Sequence, residues 1–252
     1  FSRLNHIFIS HMHGDHCFGL PGLISTLGML GRNGELVIHG PKETETYLRP
    51  ILNTFCRELP YPIRFNHIAP DQHELIWEDR SVSVYSIPLK HRLPTSGFLF
   101  AEKAKEAHII KEMTDFYQIP VKLLPSIKRG EDYITPEGER IPNGRLTRPA
   151  STPKKYAYCS DTAYYEKIIP IIEGVDLLYH EATFASEDAA RAKETFHSTA
   201  RQAAEIARKA NVKRLVIGHY SARYEELHTL KKEADEIFPG TILADEGMTL
   251  TV

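Results

Sequence analysis

The run His11-Met12-His13-Gly14-Asp15-His16 constrains this chain more than any other feature. It packs three imidazoles and a carboxylate into six residues, and a donor set of nitrogen and carboxylate oxygen without thiolate suits zinc. The preceding residues 4–10 (Leu-Asn-His-Ile-Phe-Ile-Ser) are apolar, β-branched and short, which predicts a strand running into His11. At the end of that strand His11 and His13, two residues apart, can face one ion. Gly14 permits a sharp turn, after which Asp15 and His16 face a second ion beside the first.

Two ions need further donors, and other strand ends supply candidates. The alternating residues 81–87 lead towards His91, strand 156–160 runs into Asp161, strand 176–179 into His180-Glu181, and strand 213–218 into His219. Further strands are expected at 35–39 and 97–101, and helices at 21–31, 42–57, 102–116, 164–173 and 199–210. This alternation is that of an α/β protein, with polar residues collected just past the ends of its strands. A carboxylate such as Asp161 can bridge two cations, holding them about 3.5–4 Å apart. The remaining histidines His6, His39, His67, His73, His108 and His228 read as surface, capping or core residues.

Residues 102–155 differ from the rest. A charged helix candidate is followed by Pro120, Pro125, Pro136, Pro142, Pro149 and Pro153 among turn residues, the character of a projecting arm or lid. Residues 101–155 carry 11 Lys/Arg against 8 Asp/Glu, whereas the 252-residue chain has a net charge of −2. No global basic field therefore advertises nucleic-acid binding. A hydrophobic fraction of 42% allows a sizeable core. No apolar run approaches the roughly 20 residues of a membrane span, so no membrane partner is expected. The cysteines Cys17, Cys56 and Cys159 are too few and odd in number for a disulfide framework, and thiols in a reducing, cytoplasmic setting are expected.

The order H-x-H-x-D-H, then His91, Asp161 and His219, resembles the metallo-β-lactamase superfamily. The resemblance narrows to the ribonuclease Z family. Ser10 to His16 continues into Gly19-Leu20-Pro21-Gly22-Leu23. His180-Glu181-Ala182-Thr183-Phe184 resembles that family's HEAT motif, and His197-Ser198-Thr199 its HST motif. His219 to Tyr224 resembles the segment around its last ligand, and Ala244-Asp245-Glu246-Gly247 its closing loop.

The resemblance implies an αββα sandwich, residues 1–252, with an inserted arm at 102–150 that binds tRNA. It also implies two Zn²⁺ per subunit and removal of the 3′ trailer from precursor tRNA. By the same resemblance His11, His13 and His91 hold one zinc, Asp15, His16 and His219 the other, and Asp161 bridges. Asp15 orients or deprotonates the attacking water, and His197, held by Glu181, protonates the leaving oxygen. Ser221 and Arg223 contact substrate, as do Lys122, Lys128 and Arg129 on the arm, and the family forms homodimers.

Two features depart from the pattern. The family's opening strands, with a Gly-Thr turn and a Pro/Lys/Arg/Asn-containing loop, have no counterpart here. The chain begins at Phe1 and looks like the C-terminal portion of a longer protein. The arm carries Ile119-Pro120-Val121-Lys122 where the family has a Gly-Pro motif. Rival readings are a phosphodiesterase of the same fold acting on small or cyclic nucleotides, a thioester or lactam hydrolase, and a non-catalytic, zinc-stabilised RNA-binding protein.

Overall fold

The apolar run ahead of the histidine cluster forms β1 (His6–Phe8). It is shorter than expected because the chain leaves the sheet early. Ile9 N still donates to His39 O at 2.8 Å, but Ser10 O already accepts from Ser96 N. The computed structural model describes residues 4–252. It continues with α1 (Gly14–Cys17), α2 (Leu20–Met29), β2 (Leu36–Gly40), α3 (Lys42–Phe55), β3 (Ile63–His67), β4 (Leu75–Glu78), β5 (Val82–Pro88) and β6 (Ser96–Glu102). The next segment carries β7 (His108–Ile109), α4 (Lys111–Phe116), α5 (Leu124–Lys128), β8 (Tyr133–Ile134), β9 (Arg140–Ile141), α6 (Asn143–Leu146) and β10 (Thr147–Arg148). The last third holds β11 (Lys155–Cys159), β12 (Leu177–Glu181), α7 (Ala189–Thr195), α8 (Ala200–Lys209), β13 (Leu215–Gly218), α9 (His228–Asp235) and β14 (Ile242–Leu243).

Two sheets organise the larger unit, which comprises residues 1–78, 83–101 and 154–252. The smaller sheet is parallel, in the order β1-β2-β3, and the larger runs β14-β13-β12-β11-β6-β5-β4. Strands β11 to β14 are parallel, while β6 runs antiparallel to β11 and β4 to β5. The period of two decides which face each residue serves. Along β11, Ala157 and Cys159 enter a core that α8 closes with Ala200, Ala203, Ala204 and Ala207, side chains small enough to let helix and sheet approach closely. Helices α2 and α3 cover the small sheet with Ile24, Leu27, Leu48 and Leu52 against Leu36 and Ile38. Each such Leu or Ile contributes about 1.5–3 kcal/mol when fully buried. The two remaining sheet faces meet, with the Phe8 ring 5.4 Å from those of both Phe98 and Phe100. The layers therefore run helix, sheet, sheet, helix, which is the metallo-β-lactamase fold. No helix among the described residues is long and apolar enough to cross a membrane.

Residues 79–82 and 102–153 pack as a second unit. Its small core holds Ile119, Ile127, Tyr133, Ile141 and Leu146. The Asn143 amide ties its turns together by donating to Ile127 O and Glu131 O. Two expected helices are not formed as drawn. In the stretch 102–116 only Lys111–Phe116 is helical, because His108 and Ile109 pair with Thr147 and Arg148 instead. Tertiary pairing there outweighs the helix preference of Glu, Lys and Ala. In 164–173 only a 3₁₀ turn, Glu166–Ile168, forms. Pro170 lacks the N–H that a continuing helix needs, and its ring obstructs the preceding turn.

Candidate active site

Parallel strands deliver the polar residues to one place, at their C-terminal ends. His11 and His13 follow β1, His91 follows β5, Asp161 follows β11, Glu181 closes β12 and His219 follows β13, while Asp15 and His16 ride on α1. Gly14 has no positive φ, so the turn does not depend on its conformational freedom. A Cβ there would instead meet the Phe18 ring at 2.4 Å.

The donor atoms form two sets. In the first, His11 Nε2 and His91 Nε2 stand 3.0 and 3.2 Å from His13 Nδ1. Asp161 Oδ2 is 3.5 Å from the His11 nitrogen and 3.8 Å from that of His91. In the second set, His16 Nε2 is 3.4 Å from both Asp15 Oδ2 and Asp161 Oδ1, and His219 Nε2 is 3.7 and 3.3 Å from the same oxygens. Donors at zinc's distance of roughly 2.0–2.1 Å in a tetrahedron lie about 3.3 Å from one another, close to these spacings. Asp161 thus turns one carboxylate oxygen towards each set. His16 Nε2 is buried with no hydrogen-bond partner among the described residues, as an atom aimed at a cation would be. The residues fit two metal ions.

Neighbouring groups hold the imidazoles in place. His91 Nδ1 donates to Phe196 O at 2.9 Å, which leaves its Nε2 bare. Ser10 Oγ lies 3.1 Å from His11 Nδ1. Burial pushes His11, His13 and His91 below the usual histidine range, so these rings favour the neutral, metal-binding form. Burial also pulls His16 down, but the Asp161 carboxylate outweighs it and leaves the ring above its ordinary value. Burial alone would raise Asp161, yet the His11 and His16 imidazoles beside it hold the carboxyl far below the carboxylate range.

The backbone is strained where the site needs it. His219 sits at φ 62° and Phe196 at φ 61°, the left-handed region that side chains other than glycine's rarely adopt. At Phe196 this ends α7 and aims the carbonyl at His91. Just before His219, Gly218 passes so close to Tyr179 that a Cβ would lie 2.5 Å from its phenol oxygen.

Beside the second set lies a carboxylate–imidazole pair. Glu181 is fully buried. Its Oε1 accepts from His197 Nδ1 at 2.9 Å, Thr162 N at 3.0 Å and Ser198 N at 3.1 Å. Burial pulls the His197 pKa down, but the Glu181 bond and charge more than compensate and leave it raised. The ring stacks on His219 with centroids 5.3 Å apart. The cap of α8 is made by Thr199, in a reciprocal capping box with Gln202, and not by His197. Two cavities adjoin. One of about 480 Å³ is lined by His197, Lys90, Lys193 and Tyr164. The other, about 650 Å³, is lined by His91, Arg92 and Lys167.

Of the remaining candidates, Ser221 and Arg223 lie in the loop after His219, where Ser221 N donates to Thr183 O at 3.0 Å and Arg223 is exposed. Lys122, Lys128 and Arg129 belong to the second unit, with Lys122 and Arg129 exposed. Ser10, Thr162 and the Phe196 carbonyl carry no metal-ligand signature in the sequence. Only proximity in space reveals them, although Ser10 adjoins the histidine cluster and Thr162 follows Asp161.

Layered sheets with a histidine–aspartate centre at their strand ends define a metallo-β-lactamase superfamily protein, and residues 145–220 match the beta-lactamase superfamily domain. The solved structure of the short form of human tRNase Z is similar, with a TM-score of 0.66 at 24% identity over 99% of this chain and 80% of that one. A "Ribonuclease Z" from Parabacteroides distasonis is 79% identical over the whole of this chain and 83% of its own length. A second, from Bacteroides fragilis, is 59% identical with the same coverage. The chain belongs to the ribonuclease Z family.

Proposed function

We propose that this chain is a zinc-dependent endoribonuclease that removes the 3′ trailer from precursor tRNA. The observation that carries the reading is the position of Asp161, whose two oxygens face two separate donor sets at 3.3–3.8 Å. His11, His13 and His91 would hold one zinc and Asp15, His16 and His219 the other. Zinc held by these residues would act as a Lewis acid, supplying an activated water near neutral pH and offsetting phosphate charge.

The chain's own residues supply the rest. Asp15, the most exposed of the seven donors, orients the attacking water and can take its proton. His197 gives a proton to the departing ribose 3′ oxygen. Glu181 fixes that ring with Nδ1 protonated and raises its pKa, so that it remains an acid near neutral pH. Lys90, Lys167 and Lys193, together with Arg92, border the cavities beside His91 and His197 and suit a phosphodiester backbone. Ser221 and Arg223 contact the substrate near the scissile phosphate. The second unit grips the tRNA body through Lys122, Lys128 and Arg129, reading an A-form stem by shape and backbone. The protein works as a homodimer in the cytoplasm, in keeping with its three free cysteines.

The test compares two substrates. Purified zinc-loaded protein should cut precursor tRNA at the 3′ end of the acceptor stem, and deletion of 102–150 should weaken that far more than hydrolysis of a small chromogenic phosphodiester. Hydrolysis of the small diester or a cyclic nucleotide with no cut in precursor tRNA would favour the small-nucleotide reading. Two bound zincs without turnover of any diester would favour a binding protein.

A further inference from the structure

One hydroxyl joins the second donor set to the acid pair. Thr183 lies two residues past the end of β12 and is almost wholly buried. Its Oγ1 is 2.8 Å from Glu181 Oε2, 2.8 Å from His219 Nδ1 and 3.2 Å from His197 Nδ1. A threonine hydroxyl has one proton to give and two lone pairs to receive with. An ionised carboxylate only accepts, so that proton goes to Glu181. Towards His219 the hydroxyl oxygen must then accept, and His219 must carry its proton on Nδ1. That leaves His219 Nε2 bare, 3.3 Å from Asp161 Oδ1 and 3.7 Å from Asp15 Oδ2, where the second set converges.

We propose that Thr183 is a positioning residue for both halves of the reaction, setting the tautomer and angle of His219 while steadying the carboxylate that holds His197. The inference rests on the proposed roles of His219 as a ligand and His197 as an acid. Its surroundings keep the hydroxyl in place. Thr183 N also donates to Glu181 Oε2 at 2.9 Å, Ser221 N donates to Thr183 O at 3.0 Å, and Ala182 N donates to Gly218 O at 2.8 Å. The segment bearing Thr183 and the turn bearing His219 are therefore fastened by their backbones, and the β-branched side chain has few rotamers open to it. Without the hydroxyl, the His219 ring is free to place its proton on Nε2 and donate to Asp161, a tautomer that cannot bind metal.

The experiment pairs Thr183→Val, which keeps the shape and removes the hydroxyl, with Thr183→Ser, which restores it. Zinc affinity is read by competition with a chromogenic chelator, with no substrate present. Thr183→Val should weaken the second zinc by about 10- to 100-fold and leave the first unchanged. With zinc in excess it should lower kcat on precursor tRNA with KM held, and Thr183→Ser should return both readouts to within a few-fold of wild type. Wild-type zinc affinity and kcat in Thr183→Val overturn the proposal, and so does a serine variant as impaired as the valine one. Should the valine variant fail to fold, nitrogen NMR of histidine-labelled wild type stripped of zinc decides: a slowly exchanging Nδ1–H on neutral His219 supports the proposal and an Nε2–H overturns it. Failure of the wild type to bind two zincs, or to cut precursor tRNA, would instead count against the functional reading.

Discussion

The two donor sets use similar chemistry at different depths. The His11 and His91 side chains are 0% and 1% exposed, whereas Asp15 is 68% exposed and His219 27%. The first set is three imidazoles and one oxygen, enclosed by protein except at the part-exposed His13. The second is two imidazoles and two oxygens, one of them open to solvent and next to His197. On the proposed function, the inner set is suited to retaining an ion and the outer one to receiving substrate, water and the proton that His197 would give. Depth also divides the titration behaviour, since burial keeps the inner imidazoles below their ordinary pKa while Asp161 lifts His16 above it.

The most damaging test of this contrast is Asp161→Ala, because it withdraws a donor from both sets. Cleavage should fall by at least ~10³-fold, about 4 kcal/mol of transition-state stabilisation, with zinc content below two per chain by elemental analysis. His197→Ala should cost on the order of 10²–10³-fold in kcat while both zincs stay. A lost zinc would move His197 from acid to ligand, a role its position near Asp161 and His219 also allows. Graded chelation should release zinc in two phases, and a His219→Ala variant should lose the faster one. Removal of the inner ion first would invert the comparison.

Acid should repeat that order. A metal-bound imidazole must be neutral. His16 takes up a proton at a higher pH than His11 or His91, so dialysis at stepped pH below 7 should empty the outer set first. The smallest effect is on stability and belongs to His39, which lies outside both sets. Burial, with His6 and Arg64 nearby, brings its pKa down to about 4. Between pH 6.5 and about 4 the unfolded chain binds a proton that the folded chain refuses. Stability should therefore fall as pH drops through that window, by up to ~3 kcal/mol. Denaturant melts of His39→Asn should show a shallower decline.

Much of the fold and of the candidate site was legible in the sequence. Local pattern suffices for a strand that leads to a polar candidate: β1, β11, β12 and β13 show short apolar runs and β5 alternates. Elements with weak patterns do not stand out. In β3, Ile63–His67, the alternation lasts only five residues, and β14 is two residues long. Helix α7 is too short and alanine-rich to mark a face. The candidate donors were legible because four of the seven, His11, His13, Asp15 and His16, crowd into one short run of sequence. Of the atoms that hold those rings, Phe196 O lies 105 residues from His91 in sequence, and a backbone carbonyl carries no signature.

The left-handed backbone at His219 has a consequence for how this protein can vary. Glycine adopts such a φ most freely, and a side chain there costs about 1 kcal/mol, less for histidine than for most. Glycine has no imidazole. At position 219 the backbone geometry favours glycine while the proposed chemistry requires an imidazole, so the two demands pull in opposite directions.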